Sequence, residues 1–166
     1  MTVKEIISKL EKSTEFTSWK KGGHKAYLVH AFQMHDKANK DIWQIGYFNP
    51  ETNLITVFEV GSVITRQKDA EVFKEQEKLV HPLILSDVQT DEIEAMEKAN
   101  ATLGENYKGV GVFKSFMILQ NLDEVGQVWN VTFVTTQFKT VNVKIDAKTG
   151  DIVIHKAVSL IQEHPE

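Results

Sequence analysis

Two short segments of the chain share the same turn chemistry, and this repetition restricts the fold more than any other feature of the sequence. Residues 48–58 and 145–155 each contain an apolar residue, Asn or Asp, two variable residues, Thr, then Asn or Gly, followed by an alternating apolar run. An Asn or Asp side chain can hydrogen-bond the backbone of a turn, and Gly or Asn tolerates positive φ. Each segment therefore predicts a tight turn between two antiparallel strands.

Other elements recur in the same order around these turns. Each half opens with an amphipathic helix, the first capped by Thr2 and the second by Thr90. Helical spacing is kept by Val3, Ile6, Ile7 and Leu10 in the first half and by Ile93, Met96, Asn100 and Leu103 in the second. A strand with one tryptophan follows in each half, at Trp43 and at Trp129. This order favours duplication of one helix-then-hairpin unit.

The two halves differ in length between the tryptophan and the turn. The turn begins six residues after Trp43 but 17 residues after Trp129. An extra strand pass in the second half would account for the difference. Strands are expected over residues 25–34, 42–48 and 54–60 in the first half and over 110–122, 128–135, 140–146 and 151–160 in the second.

A charged segment separates the halves. Residues 66–80 surround a narrow apolar stripe with charges and predict a connecting helix that ends before His81 and Pro82. The division is a first helix-plus-sheet repeat over residues 1–65, a connecting segment over 66–85 and a second repeat over 86–166. The expected fold class is α+β, with each unit a helix packed on a three- or four-stranded antiparallel sheet. The two sheets either join edge to edge or pack face to face.

The second half resembles the PepSY family, the small domains of peptidase propeptides and of the sporulation protein YpeB. The resemblance is carried by Trp129 and by residues 144–152, which read Lys-Ile-Asp-Ala-Lys-Thr-Gly-Asp-Ile, and it covers residues 86–160. The first half matches loosely, because Asn53 replaces the glycine of the turn. The resemblance implies tandem cystatin-like units and a binding or inhibitory role, often toward peptidases.

Composition excludes several classes of function. The chain has 166 residues, a formal net charge of −4 and no cysteine, so disulfides, thiolate catalysis and cysteine-bound zinc are excluded. No basic cluster is broad enough to favour nucleic-acid binding. The first residues carry charges throughout, and no apolar run has the length of a signal peptide or a membrane span. A cytoplasmic prokaryotic protein without membrane contact is the expectation, and an exported protein whose signal has been removed would show the same sequence features.

No residue cluster predicts a catalytic, cofactor or metal site. His24, His30 and His35 are close in sequence, but zinc needs converging ligands, so they are interpreted as exposed strand and turn histidines. Glu92, Glu94 and Glu97 on the second helix are interpreted as a solvated face rather than an acid–base pair.

The three tryptophans are assigned by their place in the repeat. Trp43 and Trp129 recur on strands, which favours packing in the core over a ligand platform. Trp19 is expected to be exposed in a polar loop.

These observations favour a non-enzymatic binding module that recognises a protein or peptide, with peptidase regulation as the role that the resemblance implies. Exposed sheet edges would accept an added strand from a partner or from a second copy, giving a homodimer. The first alternative is a small-molecule binding protein with a pocket between helix and sheet. The second alternative is an enzyme with an unrecognised site.

Overall fold

Three α-helices and nine β-strands form the described part of the chain, which a computed structural model gives as residues 1–71 and 80–161. The helices are α1 (Val3–Glu11), α2 (Thr14–Lys20) and α3 (Glu92–Asn106), and a short 3-10 helix spans Leu85–Asp87. The strands are β1 (Tyr27–His35), β2 (Trp43–Asn49), β3 (Leu54–Val60), β4 (Ile64–Arg66), β5 (Ala70–Glu71), β6 (Val112–Leu122), β7 (Gly126–Thr135), β8 (Lys139–Asp146) and β9 (Ile152–Ser159). This confirms the predicted α+β class with an antiparallel sheet.

All nine strands belong to one sheet. Its order is β4-β3-β2-β1-β6-β7-β8-β9, with β5 paired to the outer side of β3, and every pair is antiparallel. The strands that precede the charged segment meet those that follow it at the β1–β6 pair, which runs from His30 opposite Gln120 to His35 opposite Ser115. Of the two arrangements expected from the sequence, the sheet is therefore joined edge to edge.

The first helix forms where its local signals place it. Thr2 and Glu5 make a reciprocal capping box at the start of α1, and the predicted apolar stripe is buried. α2 was not expected from the sequence; the side chain of Ser13 caps it by accepting from the Phe16 amide. Within the described residues, no helix is both long enough and apolar enough to cross a membrane.

The buried face of the third helix matches the predicted stripe only in part, since Leu103 is buried and Met96 packs against the core as predicted. Ile93, placed on the predicted stripe, is 66% exposed, whereas Ala95 and Ala99 are fully buried. The small alanine side chains let the helix pack closely on a sheet face that already carries bulky rings. This close packing decides which helix face is buried, although the larger apolar residues are more hydrophobic. The cap is Asp91 rather than Thr90, and the helix continues past the expected stop at Gly104 to Asn106.

The predicted connecting helix over residues 66–80 is wrong where the structure describes it. Arg66 ends β4, and Ala70 and Glu71 form β5, which pairs with Leu54 and Ile55 of β3. The backbone groups on the outer side of β3 need partners, and this pairing supplies them in place of a helix. Residues 72–79 of the prediction lie outside the described residues.

Both predicted turns have the same hydrogen bonds. The amide of Asn53 donates to the Asn49 carbonyl at 2.9 Å, and that of Gly150 donates to the Asp146 carbonyl at 2.8 Å. Asn53 and Gly150 have φ values of 57° and 78°. In both turns the Asn or Asp side chain also accepts from a backbone amide two residues later.

If the two turns occupy equivalent positions in a repeat, Trp43 and Trp129 do not, because the two tryptophans lie at different strand positions relative to the turns. Trp43 lies on β2, the strand that enters the first turn, whereas Trp129 lies on β7 and the second turn follows β8. The extra strand pass expected in the second half is β8. Duplication of the unit stays a prediction.

Trp43 and Trp129 are core residues, as expected. They lie on the face of the sheet that the helices cover, are 3% and 0% exposed, and meet edge to face with ring centroids 6.3 Å apart. The indole N–H of Trp129 donates to the Thr90 carbonyl at 2.8 Å, just before α3. The aromatic pair therefore packs across the β1–β6 join and fastens the start of α3 to the sheet.

Gly46 provides a test of the packing on the helix-free face, the sheet face that carries His30, Phe32 and Met34. It lies opposite His30, and a methyl group there would be 2.1 Å from Cε1 of His30. We expect Gly46→Ala to lower the free energy of unfolding by about 1–3 kcal/mol, because the added atom overpacks the site. Urea denaturation measures this loss.

Gly104→Ala is the matched control for that measurement. Apart from its chain neighbours and the backbone of its own helix, no atom lies within 4 Å of the added carbon, and alanine favours a helix over glycine by up to about 1 kcal/mol, so stability should hold or rise. A loss at Gly46→Ala that stays unchanged in a His30→Ala background would contradict the contact with His30.

Candidate functional site

A cleft opens between the helices that cover the two halves of the sheet. It has a volume of about 490 Å³ and lies between α1 and α3, above the ends of β1 and β2. We call it the seam cleft. Its apolar lining is Met1, Ile6, Trp43, Ile93 and Met96, and its polar lining is Gln33, His35, Lys40, Asp41, Glu92, Glu97 and Asn100. Apolar walls with a few polar groups are typical of small-ligand pockets.

Glu92 is the buried acid of the seam cleft. It is the first residue of α3 and only 8% exposed. Its Oε2 accepts from the amide of Val3, the first residue of α1, at 3.4 Å. A carboxylate is favoured at a helix N-terminus, where backbone N–H groups lack partners. Glu92 therefore ties the starts of the two helices together at the edge of the cleft.

Gln33 and His35 come from the end of β1. Gln33 is buried, and its Nε2 donates a short hydrogen bond to the Lys40 carbonyl, which holds the β1–β2 loop beside the cleft. Nε2 of His35 lies 3.3 Å from Sδ of Met117 on β6. Burial lowers the pKa of His35 below its ordinary value of 6.5, so the ring is neutral at pH 7.

The three histidines considered for a metal site do not converge. His30 and His35 lie on opposite faces of the sheet, because side chains alternate along a strand and their numbers differ by five. His24 is near neither, since its Nε2 pairs with the Trp19 carbonyl at 3.0 Å. Among the described residues no group of three His, Asp or Glu side chains could hold a metal ion. All three histidines are partly buried, so the expectation that they are exposed is wrong.

The three glutamates of α3 that the sequence singles out, Glu92, Glu94 and Glu97, lie in different environments, which corrects their interpretation as one solvated face. Glu94 is exposed and pairs with Lys98 at 3.3 Å. Glu97 lines the seam cleft, and Glu92 is buried at its edge. The burial of Glu92 had no signal in the sequence, because it depends on the approach of α1 to the start of α3.

Trp19 is not an exposed loop residue, so this prediction is wrong. It lies on α2, is partly buried, and its ring packs 5.3–5.4 Å from the rings of Phe16, Tyr47 and Phe58. The Ser13 cap with Phe16 and Trp19 three residues apart was the available signal for a short helix.

The strand β9 is an open edge of the sheet. Among the residues that the structure describes, it pairs with β8 alone, and all eight of its residues are exposed. Four of them are large and apolar, Ile152, Val153, Ile154 and Val158, with exposures between 38% and 47%. The opposite edge is built from β4 and β5, which have three and two residues. Long apolar edges are what natural sheets usually avoid, so β9 is the second candidate site.

Two lysines lie beside this edge on the helix-free face. Lys156 is on β9 opposite Asn142, and Lys144 lies on β8 opposite Ile154. Nζ of Lys144 donates to Oδ1 of Asn142 at 2.7 Å. Burial and the nearby charge of Lys156 lower the pKa of Lys144, against an opposing effect of Glu124. The edge therefore carries two lysines, with the carboxylate of Glu124 near Lys144.

Comparisons with known proteins show the fold alone. No protein-family model and no curated protein sequence matches the chain. A crystal structure from Clostridium difficile 630, named a "putative lipoprotein", is similar, with a TM-score of 0.56 and 16% sequence identity over 86% of this chain and 89% of that chain. The resemblance to the PepSY family stays a prediction.

The burial of His30 predicts a dependence of stability on pH. Burial against the sheet lowers its pKa from 6.5 to about 4. The unfolded chain therefore takes up this proton near pH 6.5 and the folded chain only near pH 4. The contribution to stability is complete above pH 6.5 and falls as the pH decreases toward 4, by about 2 kcal/mol at pH 5.

Urea unfolding of the parent chain and of His30→Gln at about pH 7.5 and pH 5 measures this contribution. We expect the variant to lose about 2 kcal/mol less than the parent between the two conditions. Equal losses in both proteins would show that His30 is not the group responsible.

Proposed function

We propose that the protein is a non-enzymatic binding module that adds an extended segment of a partner protein to β9. The observation that carries the proposal is the exposure of the whole of β9 on a sheet whose opposite edge is made of two very short strands. An edge strand presents unpaired N–H and C=O groups, and an extended peptide can satisfy them by continuing the sheet.

The side chains at the edge favour a particular kind of segment. On the helix-free face Ile154 and Val158 flank Lys156, and Lys144 lies on the neighbouring strand. An added strand would place alternate residues over this face. We expect apolar residues opposite Ile154 and Val158 and an acidic residue near the two lysines, since opposite charges across strands stabilise the pair.

A second copy of the chain fits the edge less well. Lys156 lies near the middle of β9, so a symmetric pair of β9 strands would bring two copies of Lys156 and of Lys144 into one patch. Like charges in neighbouring strands are destabilising. We therefore rank the β9 strand of a second copy, which would give the homodimer predicted from the sequence, below a partner segment as the strand added to this edge.

The candidate chemistry found in the sequence supports binding over catalysis. His30 and His35 lie on opposite faces of the sheet, His24 precedes β1, and Glu94 and Glu97 do not form an acid–base pair in a closed site. Peptidase regulation is the narrower form of the proposal, and it rests on the family resemblance alone.

Selection from a displayed library of random octapeptides, the length of β9, tests strand addition. We expect enriched sequences that alternate apolar residues and carry an acidic residue on one face. Lys156→Glu should weaken the binding of a selected peptide about tenfold or more, because the favourable charge pair becomes repulsive. Fluorescence anisotropy of the labelled peptide measures the change.

Lys148→Glu is the matched control. Lys148 is exposed in the turn before β9, and its substitution changes the net charge by the same amount as Lys156→Glu. Binding equally weakened by both variants, or no enriched sequence, would contradict strand addition at β9. Light scattering on the unliganded chain distinguishes the second occupant. A dimer that dissociates in Ile154→Asp would show that β9 pairs with another copy.

A further inference from the structure

The helix-free face of the sheet carries a pattern of side chains that is complementary to itself. We propose that this face is an interface between two copies of the chain, which pack face to face about a twofold axis that runs along the strands. Face packing uses no strand pairing, so the backbone edge of β9 stays open in such a dimer. The inference therefore does not depend on the proposed role of β9.

The centre of this face is apolar, and none of the three described helices covers it, because their buried residues belong to the core on the opposite face. Phe32 and Met34 of β1 lie beside Phe116 and Ile118 of β6, and all four are partly exposed. The rings of Phe32 and Phe116 are 5.8 Å apart. A contiguous apolar patch of this kind is typical of an interaction surface.

One cross-strand row of this face is ordered by chemistry. It runs from an acid on β3 through an amide and two apolar residues to a second amide, a base on β8 and an apolar residue on β9. Each member lies opposite the next on the neighbouring strand, in the order Glu59, Gln44, Phe32, Ile118, Asn130, Lys144 and Ile154. The β1–β6 join lies midway between β3 and β8, so the acid and the base are the same number of strands from it.

A twofold axis along the strands, placed over the β1–β6 join, brings complementary members of this row together. It lays β3 of one copy over β8 of the other, β2 over β7 and β1 over β6. Glu59 of each copy then faces Lys144 of the other. Phe32 packs on Ile118, and the two amides face each other. Stacked sheets are about 10 Å apart with interdigitating side chains, a distance that a glutamate and a lysine span together.

The other way of stacking two copies is unfavourable. A twofold axis across the strands would lay each strand over its own copy and bring the two Lys144 side chains together. Like charges juxtaposed in an interface are destabilising. The charge pattern therefore selects the axis along the strands. It also favours a second copy as the occupant, because one surface supplies both the acid and the base at matching positions.

The two charged groups are available for a partner. Neither Glu59 nor Lys144 forms a salt bridge within the described part of one copy. Glu124 lies near Lys144 but does not form an ion pair with it, and the hydrogen bond of Lys144 to Asn142 uses one of its three ammonium donors. Each charge can therefore be paired across the interface.

The size of the face sets the expected strength of the dimer. Strands are about 4.8 Å apart and residues of one face about 6.7 Å apart along a strand, so the six strands β3 to β8 with three rows cover roughly 600 Å² on each copy. The area buried by two copies is at the lower end of the range for specific interfaces. We therefore expect a dissociation constant of about 1–100 μM.

Sedimentation equilibrium over about 1–500 μM chain tests the arrangement by charge exchange. We expect Glu59→Lys and Lys144→Glu each to weaken dimerisation about tenfold or more, because symmetry repeats the new repulsion twice in each dimer. The double variant exchanges the two charges and should return the dissociation constant to within about threefold of the parent value. Such a rescue excludes misfolding as the cause of the losses.

Glu51→Lys is the matched control, because Glu51 is exposed in the β2–β3 turn and its substitution changes the net charge by the same amount as Glu59→Lys. It should leave the dimer unchanged. A chain that stays monomeric up to about 500 μM, or a double variant as weak as the single variants, would overturn the proposal. A dimer that resists Glu59→Lys but dissociates in Ile154→Asp would also overturn it and assign the contact to the β9 edge.

Discussion

The antiparallel pairing of β1 with β6 is the interaction on which the rest of the structure depends. It joins strands that are separated by the whole charged segment, and it makes one sheet out of what the sequence pattern divides into two. Each strand would otherwise be an open edge with unpaired backbone groups. The pair also brings Trp43 and Trp129 into edge-to-face contact, so the helix-covered core is continuous across the join.

Both candidate sites follow from this single sheet. The join pairs the two inner edges, so in the described part of the chain the remaining edges are the short β4 and β5 on one side and the long β9 on the other. Because α1 and α3 each cover their own half of the sheet, a gap remains between them above the ends of β1 and β2, and this gap is the seam cleft. One pairing therefore determines where an added strand and where a small ligand could bind.

Local signals were sufficient for some elements and insufficient for others. The capping box of Thr2 with Glu5 and the Asp146–Gly150 turn each depend on residues that are close in sequence. For this reason α1 and the β8–β9 turn could be predicted. The orientation of α3 could not, because the sheet selects Ala95 and Ala99 over the more hydrophobic Ile93. The strands around Arg66 and Ala70 form because β3 needs a partner, which is not a property of their own sequence.

The candidate site was less predictable than the fold. Strand alternation already places His30 and His35 on opposite faces, so the dispersal of the histidines follows from the sequence. The role of Glu92 does not, because its amide partner is 89 residues away. The openness of β9 likewise depends on the strand order, and strand order is a long-range property that one sequence does not specify.

The distance along the chain between β1 and β6 has a consequence for synthesis on the ribosome. β1 ends at His35 and β6 ends at Leu122, so at about 5–20 residues per second the partner of β1 emerges roughly 4–17 s later. During that interval β1, which carries Phe32 and Met34, is an unpaired edge strand of the nascent chain. The nascent chain therefore exposes an unpaired strand edge in mid-translation. A chaperone that binds at that stage would protect an edge that is paired in the finished protein.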